Sequence, residues 1–133
     1  MLYRDIIELE TAKGISAVEI TEKVVQIVRD SKISDGTCSI FLGGTTAGLM
    51  LNENDRFLIE DFKRLFREFI SEDRIYSHSE NAFSHMRAAS LSPSLTMPIS
   101  RNKLILGEWQ SILLWEFDTK PRNRQVVVTI SGD

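Results

Sequence analysis

The chain has 133 residues, 42% of them hydrophobic and 26% charged, with a formal net charge of −3. That length suits one domain over residues 1–133, and the composition is that of an ordinary soluble globule. The acidic balance argues against non-specific nucleic-acid binding, which wants a strongly basic face. No apolar run approaches the ~20 residues of a membrane span and no signal peptide opens the chain, so we expect no membrane partner and a cytosolic location. Cys38 is the only cysteine, so neither a disulfide framework nor a thiolate metal cluster is available.

Leu2 to Glu10 is rich in Ile, Leu and Tyr and runs into the turn Lys13-Gly14, which predicts a first strand. Ile15 to Ile20 predicts a short second one. Thr21-Glu22 then reads as a helix cap with an acid in the first turn, and Ile20, Val24, Ile27 and Val28 recur at helical spacing up to Ser34-Asp35-Gly36. Cys38, Ile40 and Leu42 alternate, as do Ala47, Leu49 and Leu51, so two strands flank the Gly43-Gly44-Thr45-Thr46 interruption. Asn54 to Ile70 carries an apolar stripe of Leu58, Phe62, Leu65, Phe66, Phe69 and Ile70, the pattern of a helix packed on a sheet. A further helix is expected from Ser79 until Pro93 breaks it. Leu95, Met97 and Ile99 alternate as a strand, Ser100-Arg101-Asn102 turns it, and Lys103 to Leu106 returns. Trp109 to Phe117 reads as a strand apolar on both faces, Asp118 to Asn123 as a polar connection, and Gln125 to Ile130 as the last strand. Strands grouped apart from helices indicate α+β rather than alternating βαβ.

Tyr76 to Arg87 holds the only two histidines, His78 and His85, about two helical turns apart. If the segment is helical from Ser79, then Asn81, His85 and Ala89 share a face, with His78 near it. Metal sites and acid–base pairs need side chains converging in this way from neighbouring turns, but two histidines are too few to close a zinc site. The plainer alternative is a pair of polar residues at a helix start. Gly43-Gly44-Thr45-Thr46 offers flexible backbone followed by two hydroxyls, a combination that can direct N–H and O–H donors at an anion. It lacks the lysine of a P-loop, and a glycine bulge between strands explains it equally well. Asn52-Glu53 ends a strand where a carboxylate can serve as ligand, general base or cap. Leu106-Gly107-Glu108-Trp109-Gln110 sets a glycine before an aromatic and an amide.

Thr45-Thr46-Ala47, Leu51-Asn52-Glu53, Tyr76-x-His78, Asn81-Ala82-x-x-His85, Ser94-Leu95-Thr96-x-Pro98, Leu106-Gly107-x-Trp109-Gln110, Glu116-Phe117 and Arg122-x-Arg124 follow one another along nearly the whole chain. In that order they resemble the small YjbQ-like family. The resemblance implies a two-sheet β-sandwich flanked by helices, assembling as a homotrimer. It also implies a secondary thiamine-phosphate synthase activity and a pocket for a metal or phosphate near histidines between subunits. Two positions depart from the family pattern: Gly44 stands where a histidine is usual, and Glu108 where threonine is common.

Carried onto this sequence, the resemblance makes His78, His85 and Glu53 the candidate catalytic residues. Gly44, Thr45, Thr46, Asn52, Asn81, Trp109, Gln110, Arg122 and Arg124 become candidates for holding a small phosphorylated molecule. His78 and His85 are the candidate metal ligands. With Gly44 in place of an imidazole, a divalent metal is expected to be bound weakly or not at all. Two functions compete: an enzyme joining a pyrimidine pyrophosphate to a thiazole phosphate, and a catalytically degenerate trimer that binds a phosphorylated molecule or serves only as structure. Trimer formation is also expected from Ile112 to Trp115 and Val126 to Val128, whose second apolar faces one small sandwich would leave uncovered.

Overall fold

The computed structural model describes residues 1–133. In chain order the elements are β1 (Leu2–Thr11), β2 (Ser16–Glu19), α1 (Thr21–Ser31), β3 (Gly36–Leu42), β4 (Ala47–Asn52), α2 (Arg56–Phe69), α3 (Ala82–Ala89), β5 (Ser94–Ser100), β6 (Lys103–Leu104), β7 (Ser111–Glu116) and β8 (Arg122–Gly132). They form an α+β fold with two antiparallel sheets. The larger has the order β1-β8-β3-β5-β6 and the smaller the order β2-β7-β4. No helix is long and apolar enough to cross a membrane.

Alternation decides which side chains meet. Cys38, Ile40 and Leu42 of β3 point inward with Val126, Val128 and Ile130 of β8 and Met97 and Ile99 of β5. Ala47, Leu49, Ile112 and Leu114 of the smaller sheet close the same core from the other side, and Val24, Ile27 and Val28 of α1 cover its end. β7 is buried on both faces. Its other side chains, Leu113 and Trp115, join Phe117, Phe66 of α2 and Ala88 of α3 in a second cluster. There the Phe66 ring meets Trp115 edge-on at 5.2 Å and Phe117 at 4.9 Å, favourable geometries for aromatic pairs.

The second face of β7 is therefore covered within one chain, by α2 and α3, and it supplies no reason for assembly. The apolar row left open lies on the outside of the larger sheet. There the register sets Ile6 beside Val127 and Val127 beside Phe41, with Ile6 and Phe41 exposed. The stripe of α2 is also wider than the surface it packs on. Phe66 and Ile70 are buried, but Leu65 is exposed and Phe69 is 75% exposed. They border an apolar groove of about 310 Å³ with Met50, Phe62 and Leu91.

Several local expectations shift for identifiable reasons. Thr21 is the first residue of α1 rather than its cap, and its hydroxyl accepts from the Ile112 N–H at 2.8 Å. β8 begins at Arg122, three residues earlier than its apolar alternation suggests, because Thr11 and Glu10 of β1 pair with Arg122 and Asn123. Trp109 and Gln110 fall outside β7 in a turn, where the Gln110 Oε1 accepts from the Gly107 N–H at 2.8 Å. α2 starts at Arg56 rather than Asn54, with Asp55 as its cap accepting from the Leu58 N–H at 2.9 Å.

Candidate functional site

The Gly43–Thr46 turn joins β3 to β4, and α3 lies across the start of β4. A Cβ on Gly48 would stand 2.8 Å from the Leu91 side chain and 3.3 Å from the Ala88 carbonyl, so only glycine lets the end of α3 come down this close. The Leu49 N–H donating to the Ser92 carbonyl at 2.7 Å fastens the contact. His85, in the middle of α3, is thereby brought to the turn. Gly44, Thr45, Ala47, His85, Ala89 and Pro93 all border one open cavity of about 310 Å³. The ring of His78 stands 5.1 Å from that of His85. His78 is exposed and His85 half-buried.

Behind this cavity is a buried charged network that no single sequence motif announces. Arg124 is 6% exposed and grips Glu116 with two donors, Nε at 2.7 Å and Nη2 at 2.6 Å. Thr11 donates its hydroxyl to the same carboxylate at 2.6 Å. Nη2 of Arg124 also donates to the Thr46 hydroxyl at 2.7 Å, and Thr46 donates onward to Asp118 at 3.1 Å. Asp118 further accepts from Arg122 Nε at 2.5 Å and from Asn81 Nδ2 at 3.4 Å. Burial is the largest single influence on both acids and raises their pKa values. For Glu116 it is outweighed by the hydrogen bonds of Arg124, Thr11 and the Asp118 N–H together with the Arg124 charge. For Asp118 the hydrogen bonds from Arg122, the Thr119 N–H, Asn81 and Thr46 do the same. Both carboxyls are held below the usual carboxylate range.

The candidate residues thus divide into three groups. His78, His85, Gly44 and Thr45 face the cavity or adjoin it. Thr46, Arg124 and Asn81 turn to the network instead. The Thr46 hydroxyl is engaged at both ends, Arg124 is an interior anchor, and Asn81 bonds Asp118 rather than an imidazole. Arg122 belongs to the network's outer edge, bonded to Asp118 through Nε and otherwise exposed on a separate cleft with Glu10, Pro121 and Asn123. Asn52, Glu53, Trp109 and Gln110 lie at the far end of the smaller sheet. Glu53 and Trp109 border a separate cleft of about 230 Å³ with Glu108. Ala47 and Asn52 are the two ends of β4, about 17 Å apart on an extended strand. Glu53 is therefore not beside the histidines within one chain, contrary to the expectation that it shares their pocket.

The same separation bears on metal. Nowhere do three or more His, Cys, Asp or Glu side chains gather closely enough to hold an ion. A catalytic zinc takes three protein ligands, so the residues of one chain do not fit it. Gly44 has its own structural reason. Its φ is +128°, and a Cβ there would meet Arg124 Nη1 at 2.7 Å, so an imidazole could not be added without displacing the buried guanidinium. Arg87 is likewise structural. It is buried, donates twice to the Ile70 carbonyl, and so ties α3 to the end of α2.

Residues 5–133 match the family described as UPF0047 protein, YjbQ-like. The chain belongs to the YjbQ-like family. A UPF0047 protein of Archaeoglobus fulgidus is 36% identical over 90% of this chain and 94% of its own length. One from Methanothermobacter thermautotrophicus is 32% identical over 98% and 93%. The crystal structure of a YbjQ-like protein of unknown function from Sulfolobus solfataricus superposes with a TM-score of 0.95 at 36% identity, covering 100% of this chain and 99% of that one. A YjbQ/UPF0047 protein from Clostridium acetobutylicum gives 0.90 at 33% identity, covering 96% and 99%. Of the residues that sequence reasoning left without a role, Asp118, Thr11 and Glu116 matter most, Glu116 having entered only as part of the Glu116-Phe117 motif. The signal for the acids was present: two carboxylates two residues apart end an apolar strand, and two arginines with the same spacing open the next.

Proposed function

We propose that the cavity beside Gly44, Thr45 and His85 binds a small phosphorylated molecule, and that the chemistry there is of the thiamine-phosphate synthase type. In that reaction a pyrimidine pyrophosphate and a thiazole phosphate are joined as pyrophosphate departs. The observation that carries the reading is the pair of imidazoles, rings 5.1 Å apart, across from a turn of glycine backbone and a free threonine hydroxyl. Such a turn offers donors to phosphate oxygens, and imidazole is the side chain whose ordinary titration lies nearest neutral pH.

A second reading, binding without turnover, is favoured by Gly44. The imidazole usual there in the family is absent, and Arg124 occupies the space it would need. We further propose a cytosolic homotrimer. Asn52, Glu53, Trp109 and Gln110 can join the histidines in one site only if a second copy brings its far sheet end to the first copy's cavity.

Thermal unfolding with and without thiamine phosphate and pyrophosphate tests the binding. At a hundredfold excess over Kd a ligand of the folded form stabilises by about 2.7 kcal/mol. His85→Ala should abolish that gain, and Thr45→Val should weaken binding by about 0.5–1.5 kcal/mol. An unchanged gain in His85→Ala would overturn the assignment. Formation of thiamine phosphate from the substrate pair then separates turnover from binding.

A further inference from the structure

At the opposite end of β5 from the histidine cavity is a second cleft, of about 330 Å³, between α1 and the β5–β6 hairpin. Pro93 borders the first cavity and Arg101 the second; the strand between them spans about 20 Å. Its floor is apolar and half-buried: Val25, Leu104 and Leu106. Its rim carries three cations, Arg29, Arg101 and Lys103. None of the three belongs to an ion pair, and neither Arg101 nor Lys103 has its side chain bonded within the chain. Of the acids nearest in sequence, Asp30 accepts from Gln26, while Asp35 lies beside the hairpin and accepts from the Ser34 hydroxyl and the Arg101 N–H without pairing the Arg101 guanidinium.

The frame holding these cations is rigid. Arg101 and Asn102 form a two-residue hairpin turn with φ +53° and +60°, the conformation that matches strand twist in tight hairpins. The Asn102 amide donates to the Val28 carbonyl at 2.8 Å and to the Ile33 carbonyl at 2.7 Å, and its N–H donates to the Ser34 carbonyl. The hairpin is thus tied to the end of α1, and a carbonyl at the negative end of that helix is capped instead of facing the cleft. Three cations outside any ion pair, of which Arg29 also donates to the Gln26 Oε1 at 3.2 Å, line this one cleft in a chain of net charge −3 and concentrate anions there. The volume is at the lower end of the range of about 300–1,000 Å³ for small-molecule sites.

We propose that this cleft is a second ligand site, independent of the histidine cavity. It takes a small phosphorylated molecule with a flat apolar body. Arg101, Lys103 and Arg29 hold the phosphate, and Val25, Leu104 and Leu106 carry the body. Two guanidiniums favour phosphate over a monoanion because each can present paired donors to its oxygens.

Adenosine monophosphate is a suitable probe, with inorganic phosphate as the comparison. Calorimetric titration should show saturable binding of the nucleotide at millimolar concentration or below, at least tenfold tighter than phosphate. Amide shifts in nuclear magnetic resonance spectra should centre on residues 101–106 and the last turn of α1. Arg101→Gln combined with Lys103→Gln should weaken the nucleotide at least tenfold with the melting temperature unchanged, while His85→Ala should bind it like the parent. No saturable binding, shifts centred on residues 44–47 and His85, undiminished affinity in the double variant, or equal affinity for phosphate would each overturn the proposal.

Discussion

Glu116 and Asp118 sit in the interior with six side chains and several N–H groups donating to them, and the result is two carboxyls that ionise more readily folded than unfolded. An unfolded carboxylate titrates near pH 3.9–4.3. A group whose folded pKa lies below that contributes stability that is complete above the unfolded value and is lost as pH falls towards the folded one. The melting temperature should therefore hold steady from about pH 8 to 5 and drop as the solution is taken below that. Glu116→Gln removes one of the two contributions to the slope. It also leaves Arg124 buried without its partner, a change worth on the order of 3–5 kcal/mol. Denaturant unfolding at pH 7 and at pH 4 reads both effects. A variant as stable as the parent at pH 7 would show that the network is not what holds the Arg124 end of β8.

Among the elements, those whose residues alternate cleanly were legible from the chain. Cys38, Ile40 and Leu42, or Met97 and Ile99, have buried faces that match their spacing because both strands line the core between the two sheets. The first residues of β8 were not legible, since Arg122 and Asn123 are polar and gain strand geometry only by pairing with β1. The candidate site was legible in part. His78 and His85 meet over a separation of only seven residues, His85 on α3 and His78 in the turn that leads into it rather than on a helix running from Ser79, whereas the charged network joins Thr11 to Glu116 across 105 residues and Thr46 to Arg124 across 78. The distance of Glu53 from the histidines within one chain was not legible, because it depends on β4 running extended between the Gly43–Thr46 turn and Asn52. The β5–β6 hairpin gives an element-scale prediction. Asn102→Ala removes both side-chain donations to α1 and puts alanine at φ +60°, so a loss of about 2–4 kcal/mol is expected from two hydrogen bonds and the backbone strain together. Hydrogen exchange should quicken at residues 101–104 and at the end of α1. Unchanged protection there would mean the hairpin is held by its strand pairing alone.

At the scale of the whole molecule, two apolar surfaces lie open on opposite sides of one chain. One is the row Ile6, Val127 and Phe41 outside the larger sheet; the other is the α2 groove with Leu65 and Phe69. They differ in shape, one a flat sheet face and the other a groove beside a helix, and a contact that sets one against the other is head-to-tail rather than two-fold. A ring in which each copy offers a different surface to each neighbour suits that asymmetry, and three copies are the smallest closed ring with such head-to-tail contacts. The proposed site makes the same demand, since the histidine cavity and the cleft of Glu53 and Trp109 occupy opposite ends of the smaller sheet. Sedimentation equilibrium should give three times the chain mass of 15.2 kDa. Phe69→Glu, on a side chain 75% exposed in the single chain, should leave the fold intact and shift the equilibrium to monomer if the groove is one of the contacts; Phe41→Glu asks the same of the sheet face. A parent protein that sediments as a single chain at micromolar concentration would remove the ring, and with it the reading in which Glu53 and His85 serve one site.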